Sequence, residues 1–454
     1  MSIVGWLLPG AVLALLAVKS LGPVRDPDTF WHLRAGEHLL ATRQFVLEDP
    51  FGAGAQRPWI LNQWLPEILF HWADAWFGLP GVAWLLCLAV ALVGGAVWVA
   101  CRRRASPLVT ALVLALTFVA LSGSLSPRPQ LVTFALAALA VDAWLRTSSD
   151  RRLRWWLVPV TWLWACSHGM WFIGPALGAV AIIGGVLDRR FTPREAARQA
   201  LVPLLSVAAA ALTPVGPRLF TSPFQVADVT PYVTEWHATS LADVGLWAAV
   251  VLLVVAAVVG VRGRELRWTS ALFVVACTYL AFAHARTVGL AAVIIAPLAA
   301  AAAQALVRLP GEAPARRERV ATTLLPALAL AVAAVLAPSI AARPAIGAPG
   351  LDASLSAVPA GTVVCSDEAA GGWLEWAHPQ LRPTMDTRVE IRTPERIDAY
   401  HRFVSGAQGW QAYAADLGCR AAFLGEDAPV VPLLERAGWG RAGTADGYVL
   451  LTAP

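Results

Sequence analysis

Charged residues are scarce in this 454-residue chain, where Asp, Glu, Lys and Arg together make up 14%. A soluble globular chain carries about 25% charged residues. Hydrophobic residues reach 57%, and the mean hydropathy is +0.60. One soluble core cannot bury so much apolar surface, so the composition excludes an ordinary water-soluble domain and predicts a polytopic membrane protein.

Several motifs are also absent. The sequence has no Gly-rich nucleotide-phosphate loop, no nucleophile elbow, no haem motif and no clustered Cys-x-x-Cys pairs. Lysine occurs once, at Lys19. Apart from the histidines, all the other basic side chains are arginines. These absences give no support to a nucleotide-dependent enzyme, a serine hydrolase of the elbow type or a haem protein.

Eleven apolar stretches are candidates for helices that cross a hydrocarbon layer of roughly 30 Å. The fifth stretch is short, and a miscount there would invert the topology of everything after it. The predicted spans are 3–21, 82–100, 107–122, 130–146, 155–167, 169–187, 198–213, 241–261, 268–283, 287–307 and 320–341.

Arginine clusters follow every second predicted span. Because cytoplasmic loops collect Lys and Arg, this alternation supports eleven crossings with the amino terminus inside and the carboxyl terminus outside. It also explains the pI of about 9.1 without any nucleic-acid partner. The clusters are Arg102, Arg103 and Arg104; Arg151, Arg152 and Arg154; Arg189, Arg190 and Arg194; Arg262, Arg264 and Arg267; and Arg316, Arg317 and Arg319.

The longest predicted outer loop, 22–81, carries Asp26 and Asp28 just beyond the first span. Two carboxylates at this spacing can share a divalent cation or supply a general base. The alternative interpretation is a helix N-cap with Pro27 at the first helical position, followed by an amphipathic helix from residue 30 to 40. Both interpretations can hold together.

Other polar residues of the predicted outer loops are candidate substrate ligands. Tryptophans between residues 59 and 76 predict a second interfacial helix, and three later loops place Arg or His where they could neutralise a phosphate or pyrophosphate. The alternatives are solvated helix faces, snorkelling arginines and a structural histidine. The candidate substrate-binding residues are His32, Arg34, Asn62, Glu67, Arg128, His168, Glu235 and Arg286.

The composition changes near residue 349, which predicts a transmembrane domain at 1–345 and a small α/β domain at 349–454. Strands are expected at 362–365, 421–424 and 448–452, and helices at 394–404 and 430–437. Segments 371–376 and 383–388 could contact sugar, although a packing module that caps the outer helices is favoured. Whether Cys365 and Cys419 form a disulfide is left open by the sequence.

The order of the motifs carries a resemblance to a known group. The motifs are Asp26-x-Asp28-x-Phe30-Trp31-His32-Leu33-x-x-Gly36, Asp49-Pro50-Phe51, Trp59 with Trp64-Leu65, Ser126-Pro127-Arg128-Pro129-Gln130, Trp164 with His168-Gly169, Glu235-Trp236 and Ala285-Arg286. In this order they resemble a large group of uncharacterised bacterial membrane proteins, which in turn resembles the C-fold glycosyltransferase superfamily. The resemblance covers nearly the whole chain.

The resemblance implies a fold and an activity. The fold is an all-α polytopic bundle of about eleven transmembrane helices, with interfacial helices in the first outer loop and a C-terminal α/β domain. The activity is transfer of a sugar from a polyprenyl-phosphate-linked donor to a glycan, lipid or protein acceptor, on the outer face of the bacterial cytoplasmic membrane. The implied catalytic residues are Asp26 and Asp28.

Two questions stay open at this point. The cofactor is unassigned, and a divalent cation such as Mg²⁺ or Mn²⁺ would need Glu67, Glu235 or His168 to complete a site with Asp26 and Asp28. The rival functions are a transporter or flippase of lipid-linked sugars and a noncatalytic scaffold for envelope assembly. Transport is disfavoured because no internal repeat is visible and the ionisable groups gather at outer helix ends.

Overall fold

A computed structural model of the protein describes residues 3–260, 267–307 and 315–454. The helices in chain order are α1 (Ile3–Lys19), α2 (Asp28–Thr42), α3 (Trp64–Phe77), α4 (Leu79–Arg102), α5 (Pro107–Leu121), α6 (Gln130–Asp150), α7 (Leu157–Ala165), α8 (Ile173–Leu187), α9 (Pro193–Ala210), α10 (Ser222–Ala227), α11 (Val244–Gly260), α12 (Arg267–Ala283), α13 (Val288–Val307), α14 (Arg316–Ile340), α15 (Asp352–Ser356), α16 (Glu368–Ala377), α17 (Pro394–Val404), α18 (Gln411–Leu417) and α19 (Val431–Arg436). The strands are β1 (Val46–Leu47), β2 (Trp59–Ile60), β3 (Val363–Ser366), β4 (Arg382–Pro383), β5 (Ala421–Gly425), β6 (Gly440–Ala445) and β7 (Tyr448–Thr452).

The chain forms two compact units. Unit 1 contains Met1–Gly22, Pro80–Leu219 and Thr234–Ala341, and unit 2 contains Pro23–Leu79, Phe220–Val233 and Ala342–Pro454. The predicted first outer loop and the predicted tail therefore belong to the same unit. The division into domains at 1–345 and 349–454 stays a prediction.

Unit 1 is an all-helical body with a helix at each of the eleven predicted spans. Among the described residues, six helical segments are long and apolar enough to cross a membrane, and α1, α11 and α12 are shorter apolar helices. The helix α7 has only nine residues, so at about 1.5 Å per residue it covers roughly half of a hydrocarbon layer. A multi-pass architecture is confirmed, whereas the count of eleven crossings is not.

Acidic side chains in unit 1 pair with arginines in or beside the predicted inner loops, of which Arg262 and Arg264 lie outside the described residues. Arg102 and Glu318 are both buried and form a two-point pair, with Nε–Oε1 at 2.6 Å and Nη2–Oε2 at 2.9 Å. Asp142 contacts Arg104 at 2.7 Å and Arg146 at 3.1 Å. These pairs satisfy charged groups at helix ends that would otherwise be desolvated without a partner.

Unit 2 contains a five-stranded sheet in the order β4-β3-β5-β7-β6. β3 is parallel to β4 and β5, whereas β7 is antiparallel to β5 and β6. The predicted strands correspond to β3, β5 and β7, and the predicted helices to α17 and α19, so the small α/β region of the tail is confirmed. Cys365 and Cys419 form a disulfide with their Cα atoms 5.7 Å apart.

Helix α16 packs against α2 and α3 within unit 2, and the ring centres of Phe30 in α2 and Trp376 in α16 lie 5.4 Å apart. Trp376 Nε1 donates to Asp74 Oδ2 at 2.8 Å, and Trp31 Nε1 donates to Thr387 Oγ1 at 3.0 Å. The side chains of Trp373 and Arg388 are fully buried. Segments 371–376 and 383–388 therefore pack against the predicted first outer loop. That the tail caps the outer helices stays a prediction.

We predict that Gly36→Ala destabilises unit 2. A Cβ at residue 36 would lie 2.2 Å from the carbonyl oxygen of Glu67 and 2.7 Å from its carbonyl carbon, because α2 and α3 approach closely there. Backbone atoms cannot move aside cheaply, so the loss should be at least the ~1–3 kcal/mol typical of overpacking. Thermal unfolding in detergent measures it.

The matched control is Gly95→Ala in α4, where an added Cβ meets no atom within 4 Å. That variant should melt at or slightly above the wild-type temperature, since alanine favours a helix by about 1 kcal/mol over glycine. An unchanged melting temperature for Gly36→Ala would contradict the close packing of α2 on α3.

Candidate functional site

Asp26 lies in the turn that leads into α2, and Asp28 is the first residue of that helix. The Asp28 amide donates to Asp26 Oδ1 at 3.0 Å, and the Thr29 amide donates to the Asp26 carbonyl oxygen at 3.2 Å. Asp26 is buried and Asp28 is half-buried. The helix begins at Asp28, one residue later than predicted, so Asp26 fixes the turn while the Asp28 carboxylate lies at the helix N-terminus, where negative charge is favoured.

Two carboxyl groups of the tail lie within electrostatic reach of Asp28. Burial raises the pKa of Glu368 to about 7, and the charges of Asp367, Asp386 and Asp28 add to this against the opposing effect of Arg392. Burial likewise raises the pKa of Glu390 to about 7, with Asp386 and Asp28 again contributing. Asp28 is therefore accompanied by two carboxyl groups that titrate near neutral pH.

Sequence reasoning missed both of these glutamates. Glu368 had a usable signal, because an Asp-Glu pair stands directly between a predicted strand and an apolar helical pattern. Glu390 had none, since its position depends on a short 3₁₀ turn at Val389–Ile391. We call Asp28, Glu368 and Glu390 the acidic set.

A buried ion-pair network centred on Arg388 lies within electrostatic reach of Glu368 and Glu390. Arg388 Nη1 donates to Asp49 Oδ1 at 3.0 Å, and Nη2 donates to Glu375 Oε1 at 2.6 Å and to Asp386 Oδ2 at 2.8 Å. Its Nε also donates to Asp386 Oδ1 at 3.0 Å. Arg392 Nη2 adds a contact to Asp386 Oδ2 at 2.9 Å. All of these side chains are buried.

Aromatic rings enclose the Arg388 guanidinium. Its Cζ lies 4.5 Å from the ring centre of Trp59, 5.5 Å from Phe51 and 6.0 Å from Trp31. Ring faces attract a cation, and the attraction is stronger when the cation is desolvated. The rings thus replace part of the hydration that Arg388 loses on burial.

The carboxyl groups of this network have opposite pKa shifts. Burial raises the pKa of Glu375 well above its usual value, with Asp386 and Asp49 reinforcing the shift and Arg388 opposing it. Burial would also raise the pKa of Asp386, but Arg388 and Arg392 outweigh it and hold that pKa below its usual range. The guanidiniums of Arg388 and Arg392 therefore face three carboxyl groups of the network, those of Asp49, Glu375 and Asp386.

Three carboxyl groups of this network each offer an oxygen atom of the kind that binds metal ions. Oxygen atoms of Asp49, Glu375 and Asp386 lie within 4.8 Å of one another, and carboxylates are the usual ligands of Mg²⁺ and Ca²⁺. The Arg388 guanidinium, however, donates hydrogen bonds to all three carboxyl groups. A divalent cation would have to displace it, so these residues do not fit a metal ion.

The other candidates in unit 2 each have a partner inside the unit. His32 Nδ1 lies 3.0 Å from Glu67 Oε1, and both side chains are buried. Arg34 pairs with Glu37 on the next helical turn and lies over the ring of Phe51. Asn62 Nδ2 donates to Ser222 Oγ at 3.1 Å. These contacts give all four residues a packing role, and their substrate-binding roles stay predictions.

Unit 1 brings three predicted residues from separate loops into one cluster. Arg128 Nη1 lies 3.2 Å and 3.3 Å from the two carboxylate oxygens of Glu235, and Arg286 Nη1 also contacts Glu235 Oε1. The Arg286 Cζ lies 5.5 Å from the ring centre of Trp236. Two guanidiniums thus meet at one carboxylate, and all three side chains are partly exposed.

His168 is buried in unit 1. Its Nδ1 lies 2.8 Å from Thr133 Oγ1, which accepts a hydrogen bond from Trp164 Nε1 at 2.7 Å. This series of hydrogen bonds fits the structural interpretation of the histidine. The substrate-binding role of His168 stays a prediction.

No protein-family model matches the chain, and no curated protein is detectably similar in sequence. Its fold, in contrast, is shared with solved membrane proteins. The apo oligosaccharyltransferase of Archaeoglobus fulgidus aligns with 93% of this chain and 70% of its own, at a TM-score of 0.56 and 12% identity. The same organism's AglB, solved with an inhibitory peptide and a dolichol-phosphate, aligns with 92% and 69%, at 0.56 and 13%.

ArnT from Cupriavidus metallidurans, solved with undecaprenyl phosphate, aligns with 99% of this chain and 98% of its own, at a TM-score of 0.52 and 14% identity. These neighbours are C-fold, polyprenyl-phosphate-dependent glycosyltransferases. The resemblance to the C-fold superfamily is therefore confirmed at the level of fold.

The raised pKa values of Glu368 and Glu390 predict how stability depends on pH. Each carboxyl binds its proton more tightly in the folded state, at a pKa of about 7, than at its ordinary value near 4.5. Their contribution to stability is therefore full below about pH 4.5 and is lost as the pH rises through about 7. Melting temperatures should fall over this interval.

The double variant Glu368→Gln, Glu390→Gln keeps the side-chain shape and removes both titrations, so its melting temperature should depend less steeply on pH. Glu426→Gln, at an exposed position of the same unit, is the control and should follow the wild-type curve. Equal slopes for the double variant and the wild type would contradict the assigned pKa shifts.

Proposed function

We propose that this chain is a membrane glycosyltransferase that moves a sugar from a polyprenyl-phosphate-linked donor to an acceptor hydroxyl, on the outer face of the bacterial cytoplasmic membrane. The observation that carries the proposal is the fold, which extends over 92% to 99% of the chain in the three comparisons. Two of those structures are described as containing dolichol-phosphate or undecaprenyl phosphate.

The cluster of Arg128, Glu235 and Arg286 supports a role in binding the donor phosphate. A guanidinium presents N–H donors in a planar fork that matches phosphate oxygens, and its charge persists at any physiological pH. The two guanidiniums and their partial exposure are the features that suit a phosphate ligand. In the absence of the anion, the negative charge of Glu235 offsets the repulsion between the two arginines.

Asp28 is our candidate for the catalytic base. The acceptor hydroxyl oxygen attacks the anomeric carbon of the donor sugar, and its proton passes to the Asp28 carboxylate. The bond between the anomeric carbon and the phosphate oxygen breaks, and polyprenyl phosphate leaves with the electron pair. One base suffices for such an inverting displacement, and Asp26 holds the turn that orients Asp28.

The disulfide and the arginine pattern support the proposed sidedness. A disulfide between Cys365 and Cys419 is expected in an oxidising compartment rather than in the cytoplasm. Arginine clusters follow alternate predicted spans and would lie inside. A lipid-linked donor suits the outer face, where nucleotide sugars are not supplied.

We predict that Asp28→Asn abolishes transfer while the protein stays folded. Asparagine keeps the size of the side chain and cannot accept the proton, and loss of a general base typically costs about 10²- to 10⁴-fold in rate. The measurement is release of polyprenyl phosphate from a panel of radiolabelled polyprenyl-phosphate sugars by purified protein in detergent. Size-exclusion profiles and melting curves establish that the variant is folded.

The control is Glu48→Gln, an exposed acid of the same predicted loop, which should stay within twofold of the wild type. Release by a folded Asp28→Asn protein at the wild-type rate would remove Asp28 as the base. Failure of the wild type to release carrier from any donor, while it moves labelled lipid across vesicle membranes, would favour a flippase instead.

We predict that Arg128→Gln and Arg286→Gln weaken the binding of polyprenyl phosphate. A hydrogen bond to a charged group contributes about 1.5–3 kcal/mol, which corresponds to roughly 10- to 150-fold in the dissociation constant. Titration of each purified variant with labelled undecaprenyl phosphate measures the change. Arg343→Gln, which alters an exposed arginine outside the cluster, should bind like the wild type. Unchanged affinity in both cluster variants would contradict the phosphate-binding role.

A further inference from the structure

The sheet of unit 2 contains a topological switch point. After β3 the chain passes through α16 to β4 on one side, and it then returns through α17 and α18 to β5 on the other side of β3. All three strands are parallel, so their carboxyl ends lie at the same edge. In open α/β sheets, ligands bind in the crevice outside the carboxyl ends of the strands at such a point.

A groove occupies this position. Its walls come from the segments that follow the three parallel strands and from α17, and its volume is about 640 Å³. Small-molecule sites usually enclose about 300–1,000 Å³. The polar residues that line it are Asp367, Glu368, Thr387, Tyr400, His401 and Ser405.

The end of the groove formed by α16 does not suit an anion. Asp367 Oδ1 accepts hydrogen bonds from the amides of Ala369 at 2.9 Å and Ala370 at 3.2 Å, so a carboxylate already satisfies the helix N-terminus. Glu368 adds a second acidic group at the same place. A phosphate would have to displace the cap and meet both acids, so the donor phosphate does not belong here.

The same residues suit a neutral polyhydroxylated ligand. The carboxyl groups of Asp367 and Glu368 can accept hydrogen bonds from sugar hydroxyls. The Tyr400 hydroxyl oxygen accepts a hydrogen bond from the Glu368 amide at 2.8 Å. Its own hydrogen can then be donated to a ligand. The exposed His401 ring supplies a further polar group with an apolar face.

The groove adjoins the start of α2. Thr387, one of its lining residues, accepts a hydrogen bond from Trp31, which lies three residues after Asp28. A Cβ on Gly372 of α16 would lie 3.0 Å from the Pro27 carbonyl oxygen, so α16 packs directly on the turn that carries Asp28. A ligand in the groove would therefore lie close to the proposed base.

We propose that this groove binds the hydroxyl-rich face of a neutral glycan and that it is the acceptor site of the protein. The role of the groove as an acceptor site rests on the proposed function. Glycan binding itself can be tested without any donor. The tail then has a recognition function beyond packing, and the acceptor is a carbohydrate rather than a peptide or an anionic lipid.

Saturation-transfer NMR measures the binding of three oligosaccharide probes to the full-length protein. The detergent lacks a sugar headgroup. Maltotetraose is the neutral probe, a glucosamine tetrasaccharide the cationic one and a galacturonate trisaccharide the anionic one. Ser405→Trp fills the groove from an exposed lining position. Arg402→Trp, exposed on the same helix and outside the groove, is the matched control.

We expect saturation transfer to maltotetraose with the wild type and with Arg402→Trp, and at least a fivefold smaller signal with Ser405→Trp. A stronger signal from either charged probe, no signal from any probe, or an unchanged signal in Ser405→Trp would overturn the inference. Binding that follows the expected pattern in a protein that releases no carrier would overturn the proposed transferase and leave the glycan site standing.

Discussion

Unit 2 depends on one buried arginine. Arg388 donates hydrogen bonds to Asp49 in the segment after α2 and to Glu375 and Asp386 in the tail, and no part of its side chain is exposed. Such a network does not add stability in proportion to its contacts, because desolvation of the charges offsets most of the Coulomb attraction. Its consequence is specificity: removing one partner would leave a buried charge uncompensated at a cost of about 3–5 kcal/mol. The predicted first outer loop and the tail therefore fold as one unit.

This joint folding determines the surroundings of Asp28, the proposed base. The turn that carries Asp28 lies against α16, and α16 is held by Glu375 through Arg388. The acidic set exists only because the tail folds onto the loop, since Glu368 and Glu390 come from one segment and Asp28 from the other. The same packing places the groove beside the turn. Loops are usually more mobile than the elements they connect, but here the buried network and the aromatic rings around it restrain the loop. Asp28, the proposed base, is thereby held beside the proposed acceptor groove.

Local patterns in the sequence predicted the helices and strands better than they predicted the long-range contacts between side chains. Apolar stretches predicted a helix at every proposed span, and short segments of the tail predicted β3, β5 and β7. The shortness of α7 shows why the number of crossings could not be read, because a nine-residue helix and its neighbours can be arranged in more than one way across a bilayer. The Asp49–Arg388 pair joins residues 339 positions apart, and nothing local indicates such a partner. For the same reason, the acidic residues that approach Asp28 escaped prediction, whereas Arg128, Glu235 and Arg286 were predicted from their loops and do meet.

The most direct test of this account perturbs the loop and measures the tail. Asp49→Asn removes one charge from the Arg388 network on the loop side, and hydrogen exchange of the purified protein reports on residues 382–392 and on Asp28–Thr42. If the two segments form one folded unit, amide exchange should accelerate by about tenfold or more in both, with Glu48→Gln unchanged as the neighbouring control. Faster exchange confined to the loop, with the tail protected as in the wild type, would contradict the claim that Arg388 unites them.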